Sequence, residues 1–454
     1  MCAAVRRLSL VLGLAASFAF AAPASAAVTM TEFEVEPSSR QGGGHPNVTI
    51  TQAFEYGNGT DSVNDAFVRL QPGLLGNPQS AAFCSQAQFQ ADSCPENSTV
   101  GSVVVTAHAV LLPLIPLTNN GIVYNLAPTG DEPARVGIVV DAAGGLEKIF
   151  LQAPVFIRRG ADGYGLESTF ADQPRTAGLD IQIDRIELTF NGRASRGSFM
   201  RMPTSCATAT SLSRANSWEA MTIFSQRTFT MTPTDCGRLA FRPRADGFMG
   251  SPGTTRKGTF PPVGTTLRFD PEEAALRRAE VTLPSILSPN LSVVRRACTR
   301  AQADASACPA SSRVGTAIID SPLQPRPVRG PVHLAFNTDA ALPGLVVMLP
   351  PPVGVRLDGV VEIGAEGSKN TFASNPDLPV RSFTLAIDGG HPDTLLTLNK
   401  GLCEPGADRT MQVALVAHNG KRASFEQELA RPAAIPAPRS SSAAAAAARS
   451  SWRS

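Results

Sequence analysis

The groups in this 454-residue chain that could do chemistry are its cysteines, its histidines and a scatter of carboxylates. The cysteines carry the clearest pattern. Cys84-Ser-Gln-Ala-Gln-Phe-Gln-Ala-Asp-Ser-Cys94-Pro95, followed by Val100-Gly101, returns as Cys298-Thr-Arg-Ala-Gln-Ala-Asp-Ala-Ser-Ala-Cys308-Pro309 with Val314-Gly315. Both cysteines, the Ala-Gln pair, the proline, a serine (Ser98 and Ser312) and the Val-Gly recur at a constant offset of 214 residues. In an oxidising compartment, thiols in even pairs close as disulfides. Structural zinc asks for C-x2-C or close Cys/His pairs, whereas nine and 29 residues separate the cysteines here and no histidine stands beside them. The repeat predicts the bridges Cys84–Cys94 and Cys298–Cys308, worth roughly 2–3 kcal/mol each by loop entropy. Cys206 then pairs with Cys236. Cys403 is left over, as an unpaired thiol or an intermolecular link; we read it as a buried or half-buried thiol. A chain that repeats a staple and no reactive group reads as tandem modules.

The other groups form no recognisable constellation. Serine hydrolysis needs a nucleophile, a base and an orienting acid. No G-x-S-x-G elbow occurs, since Gly192-Arg-Ala-Ser195-Arg-Gly197 is off by one position. Of the five histidines, His108 and His333 sit in apolar strand-like runs and read as packing residues. His45 and His391 precede prolines in glycine-rich turns, and His418 flanks Asn419-Gly420. A glycosidase needs two carboxylates facing each other. Asp184 and Glu187 are the best pair and read as solvated strand-face charges. With two Trp and three Tyr, the chain is short of sugar-stacking platforms. Asp61-Ser-Val-Asn64-Asp65 and Asp162-Gly163 come nearest to a calcium loop and read as loop charge. No glycine-rich phosphate loop is present. The expected lists of catalytic, cofactor-binding and metal-binding residues are therefore empty, and no cofactor is expected.

Compartment follows from the first 26 residues. Arg6-Arg7, an apolar stretch from Leu8 to Ala22 and Ala24-Ser25-Ala26 read as a secretory signal peptide. No later segment has the length of an apolar span, so no integral membrane span is expected after cleavage. Net charge is +2, too weak a field to draw nucleic acid. The expected location is secreted or extracellular, with cell-envelope association and a cell-wall or extracellular ligand as partner.

The elements that must hold these groups read as strands. Val28–Val35 alternates, with one slip of phase at Thr31-Glu32. Val48–Phe54, Val103–Leu112, Gly121–Leu126 and Ala134–Val140 follow. Leu179–Ile183 and Ile186–Phe190 alternate in opposite phases, which predicts a β-bulge at Asp184 or Arg185. The second half offers 317–319, 332–336, 345–349, 353–363, 383–387, 395–398 and 411–416. Helix candidates are Ala81–Gln90, Thr299–Ser306 and Glu272–Arg278. Short strands and many turns, with Gly and Pro together 75, indicate an all-β fold. We expect two tandem β-sandwich-like modules, at 27–245 and 263–432, joined by a linker at 246–262. A disordered low-complexity tail fills 433–454.

The combination of Leu70-Gln-Pro-Gly-Leu-Leu-Gly-Asn-Pro78, the Cys84…Cys94-Pro95 phrase, Phe199-Met-Arg-Met-Pro-Thr-Ser-Cys206 and Asp235-Cys236-Gly-Arg-Leu-Ala-Phe-Arg-Pro243 resembles a group of uncharacterised secreted repeat proteins of high-GC Gram-positive bacteria. Modules of that group open with L-P-x-G-L, continue with C-x-x-A-x…C-P-x-x-S-x-V-G and close on N-P-T-x-C and C-x-x-L-x-F-x-P. Gln71, Met202 and Ile286 depart from these phrases. The second module closes on Leu402-Cys403 with no later cysteine. The resemblance implies secretion and a β-rich tandem build, and transfers no activity. The expected function is a non-catalytic extracellular or envelope role in structure, adhesion or ligand binding; the alternative is a secreted carboxylate-dependent hydrolase. If the short staples carry the modules, Cys84→Ser lowers stability by about 2–3 kcal/mol without abolishing secretion, which calorimetry on the exported protein checks.

Overall fold

The computed structural model describes residues 28–57, 60–160, 162–176, 180–337 and 342–430. The expected signal peptide, Leu179 at the start of the expected 179–183 strand and the expected tail lie outside them. The described chain is nearly all β, in two eleven-stranded antiparallel sheets, one in each half. The first is built from β1 (Val28–Pro37), β2 (Val48–Tyr56), β3 (Val63–Arg69), β4 (Thr99–Ala109), β5 (Leu112–Leu126), β6 (Ala134–Ala142), β7 (Glu147–Gly160), β8 (Gly163–Phe170), β9 (Ile181–Phe190), β10 (Ala209–Ser217) and β11 (Ser225–Met231). Its spatial order is β1-β2-β9-β4-β5-β6-β7-β8-β3-β10-β11. The second comprises β12 (Arg244–Met249), β13 (Val263–Arg268), β14 (Leu276–Thr282), β15 (Arg313–Asp320), β16 (Val328–Ala335), β17 (Gly344–Met348), β18 (Arg356–Gly364), β19 (Gly367–Phe372), β20 (Ser382–Ile387), β21 (Thr410–Ala417) and β22 (Arg422–Glu428). Each of its strands takes the place of the strand eleven earlier: β12-β13-β20-β15-β16-β17-β18-β19-β14-β21-β22.

Each sheet rolls up until its first and last strands meet. Neighbours are antiparallel and eleven is odd, so the strands that meet run parallel. In the second sheet Met249 N–H donates to Ala430 O and Ala430 N–H to Gly247 O, both at 2.9 Å, in a parallel bridge. In the first, side chains complete the edge: Met30 N–H donates to Ser225 Oγ (2.9 Å) and Arg227 Nε to Met30 O (2.7 Å). Edge groups left bare would be a template for aggregation.

The two phase slips in the sequence are bulges. The β9–β4 register shifts between Ile183 and Arg185, and the β1–β2 register between Met30 and Glu32. Each inserts one residue, so the apolar residues on both sides of it still face inward. Several sequence expectations are corrected. The Val103–Leu112 reading runs across a turn, because β4 ends at Ala109 and β5 starts at Leu112. Residues 246–249, assigned to the linker, belong to β12, paired with β13. Glu272–Arg278 is not a helix. Glu273 binds Arg242 through its backbone N–H and Nε (both 2.7 Å), Ala274 N–H reaches Ala240 O, and Leu276 already begins β14.

The repeated phrase forms the same object twice. Disulfides join Cys84 to Cys94, Cys298 to Cys308 and Cys206 to Cys236. Inside the two short loops lie α1 (Gln86–Gln90) and α2 (Arg300–Asp304), each opened by a capping box, Ser85 with Gln88 and Thr299 with Gln302. Ser98 Oγ donates to Pro95 O (2.6 Å) and Ser312 Oγ to Pro309 O (2.7 Å). At Gly101 and Gly315 an added Cβ would lie 2.0 and 2.2 Å from the carbonyl oxygens of Thr189 and Ala386, so only glycine lets β4 and β15 approach their neighbours. Cys403 is exposed, against the expectation of burial.

The halves are joined by buried polar contacts. Asp377, in the β19–β20 connection, is 6% exposed and accepts from Thr204 N–H (2.7 Å), Thr204 Oγ1 (2.7 Å) and Ser205 N–H (3.3 Å). Thr204 Oγ1 in turn accepts from Ala275 N–H, and buried Arg201 donates to Glu273 O (2.9 Å). Burial pushes the Arg201 guanidinium pKa down, while the Asp377 carboxylate opposes the shift. The Tyr164 hydroxyl donates to Arg356 O and accepts from Arg356 N–H, each at 3.0 Å. Truncating Asp377 strands two buried donors of Thr204 and the half-buried Ser205 N–H, so Asp377→Ala should cost about 3 kcal/mol. It should also split calorimetric unfolding into two resolved transitions; a single unshifted transition would show that the junction does not rest on this carboxylate.

Candidate ligand-binding cavities

Rolling eleven strands leaves more interior than side chains fill, since eight already make a barrel just wide enough to be packed. The first module encloses a cavity of about 180 Å³. Strands β2 to β9 all contribute to its wall, and the bulge in β9 lets Ile181 and Ile183 on one side and Ile186 and Leu188 on the other face it together. No charged side chain lines it; Gln52, Asn119 and Gln173 are its polar contacts. A second space of about 100 Å³ abuts it through Ile50, Val68, Phe170 and Leu188.

The second module has a cavity of about 160 Å³ in the corresponding place, walled by residues such as Leu267, Leu345, Leu357 and Phe372. It continues into a smaller space of about 70 Å³ past Leu283, Leu345, Asn370 and Ile387. Here two buried oxygens, Asn370 Oδ1 on the wall of both spaces and Ser368 Oγ on the smaller, lack a hydrogen-bond partner. Apolar walls with a few unspent polar groups are the makings of a small-molecule site.

The bulge also organises a polar cluster. His108 Nδ1 lies 2.8 and 2.9 Å from the Asp184 oxygens and its Nε2 2.9 Å from Gln182 Oε1; Gln182 Nε2 donates to Asp61 O (2.6 Å). The Tyr56 hydroxyl donates to the bulge carbonyl of Ile183 (2.7 Å), and burial pushes its pKa well up. His108 thus has an orienting carboxylate and faces an amide instead of a hydroxyl. His333 is the reverse case: its Nδ1 is 2.9 Å from Ser312 Oγ, whose proton is taken by Pro309 O. Asp184 and Glu187 do not form a pair, because Glu187 accepts from Nε of Arg185 (3.0 Å), whose terminal nitrogens hold Glu32. Asp61 and Asn64 are corrected from loop charge to buried groups, 1% and 4% exposed. Asp61 Oδ1 accepts from the N–H groups of Ser62 and Glu219 (2.9 and 3.2 Å). No group of three or more His, Cys, Asp or Glu among the described residues could hold a metal ion.

The remaining histidines serve local structure. His45 bridges Met200 O (2.8 Å) and Glu272 (3.0 Å) across the module junction, His391 accepts from Asp393 N–H (3.2 Å) in its turn, and His418 contacts Asn375 O (3.0 Å). The sequence reading missed the cavities altogether, since no single strand shows how many strands will surround it.

His333 is 5% exposed, and its pKa is pushed down by burial and then by Arg313. Below the ordinary histidine value of about 6.5 the unfolded chain therefore takes up a proton that the folded chain refuses. Stability is full above that pH and falls as the pH drops below it. The first module has Tyr124 at the matching register position, opposite Thr99 as His333 is opposite Arg313. His333→Tyr should flatten the loss of melting temperature between about pH 7 and 5, and an unchanged slope would count against His333 as its source.

Compared with protein-family models and with curated proteins, the chain matches none.

Proposed function

We propose that this is a secreted binding protein of the extracellular space or cell envelope, without a catalytic site, in which each module holds a small apolar ligand inside its rolled sheet. The observation that carries this reading is the pair of apolar cavities, about 180 and 160 Å³, at matching places in two sheets of the same strand order. Apolar voids of about 150 Å³ stay dry and accept small apolar molecules. The signal-like N-terminus and three disulfides support an oxidising, extracytoplasmic setting. Shared strand order and the 214-residue offset of the cysteine phrase support internal duplication, and with it membership of the secreted tandem-repeat group. The carboxylate-dependent hydrolase draws no support from Asp184 and Glu187, each engaged by its own basic neighbour.

An apolar fluorescent probe such as N-phenyl-1-naphthylamine tests the reading. Binding near two equivalents is expected, together with a rise in melting temperature; a site saturated at about 100 times Kd adds about 2.7 kcal/mol of stability. Ala107→Phe and Ala279→Phe project a ring into one cavity each and should each remove about one equivalent while leaving the circular dichroism of the β fold. Absence of uptake and of thermal shift would overturn the proposal.

A further inference from the structure

The two sheets share their strand order and differ in length at one end. The β4–β5 hairpin has strands of 11 and 15 residues, while β15 and β16 have 8 each. The β6–β7 hairpin has strands of 9 and 14 residues against 5 and 9 in β17 and β18. Gly121 pairs with Val140, so the turn after β6 lies beside the start of β5 and the surplus of both hairpins extends together. On the β4–β5 hairpin that surplus is apolar and wet: Leu111 is 83% exposed, Leu112 53% and Ile115 55%; on the β6–β7 tip Leu146, 92% exposed, stands beside exposed Glu147 and the Lys148–Asp141 ion pair. The matching turn of the second module, Ser321-Pro-Leu-Gln-Pro-Arg-Pro327, carries a charge and half-buries its Leu323.

The exposed tips crown the first cavity. Leu117 and Ala142, which follow and precede them on the same hairpins, line its wall. Leu117 is itself 43% exposed, so one side chain touches both the cavity and the solvent. Between Glu96 and Asp131 the chain has no Asp, Glu, Lys or Arg. An acidic or basic partner would find no counter-charge on this hairpin, and an apolar cluster held out in water is disfavoured. The projecting tips suit insertion into a soft apolar medium better than a match to a flat protein face.

We propose that this crown inserts into the acyl-chain region of an electrically neutral lipid surface, and that the cavity behind it receives an acyl chain from that surface without the chain crossing water. The second half of the statement rests on the binding function proposed above; the first stands on the crown alone.

Flotation of the mature protein with phosphatidylcholine vesicles tests it. Wild type should float, and raising salt from about 0.05 to 0.5 M should leave the bound fraction unchanged, since the inserting Leu111, Leu112, Ile115 and Leu146 carry no charge. The triple variant Leu111→Ser, Leu112→Ser, Ile115→Ser should partition at least about tenfold less and still take up N-phenyl-1-naphthylamine in solution. Ala107→Phe should float and lose the first module's share of the probe. Failure of wild type to float, a requirement for anionic lipid, or a triple variant that floats like wild type would overturn the crown. So would gel filtration showing a dimer that the triple variant abolishes, which would make a second copy the occupant. Flotation without probe uptake would retain the crown and overturn the acyl-chain cavity.

Discussion

An antiparallel sheet with an odd number of strands cannot close on itself in the antiparallel sense, and this constraint shapes both halves of the molecule. The first and last strands arrive parallel. The chain meets the difficulty in two ways: a short parallel bridge through Met249, Gly247 and Ala430 in one sheet, and borrowed side chains of Ser225 and Arg227 in the other. Both satisfy edge groups that would otherwise invite another chain. Closure at eleven strands also sets the width of the interior, and the unfilled width is what the cavities occupy. The feature proposed to bind thus follows from the way the fold removes its edges.

Around this roll, the repeated cysteine phrase acts as a clip. Its glutamine completes a capping box inside the loop that its disulfide closes, and just after that loop its serine holds a proline carbonyl and its glycine lets two strands touch. The helix inside the clip presses one residue onto the outer face of the sheet: Phe89 among Leu126, Val139 and Tyr124 in the first module, and Ala303 among Ala335, Val346 and Met348 in the second. The clip has kept its frame while its contact changed from a ring to a methyl group. The ends of the hairpins have diverged further, long and apolar in one module, short and proline-rich in the other.

Much of the fold was legible because local chemistry dictates it. The bulge at Asp184 could be read from a change of apolar phase, since a one-residue insertion is what keeps Ile183 and Ile186 on the same side. Strands whose composition hides the alternation were missed, among them β7, where Glu147, Lys148, Arg158 and Arg159 flank the apolar run, and β10, rich in Ser and Ala. The false helix at Glu272–Arg278 shows propensity overruled: Glu273 contributes more by clasping Arg242 than by sitting in an isolated turn of helix.

The sequence by itself determined the strand-rich class, the bulges and the pairing of six cysteines, because alternation and short loop closure are properties of neighbours along the chain. Only the tertiary structure decided that each sheet closes, that the two halves lock through Asp377 and Thr204, and that empty apolar space remains inside with leucines around one mouth. Those depend on residues hundreds of positions apart meeting at ångström distances, and hydrophobic patterning specifies which face turns inward without specifying how much room is left there.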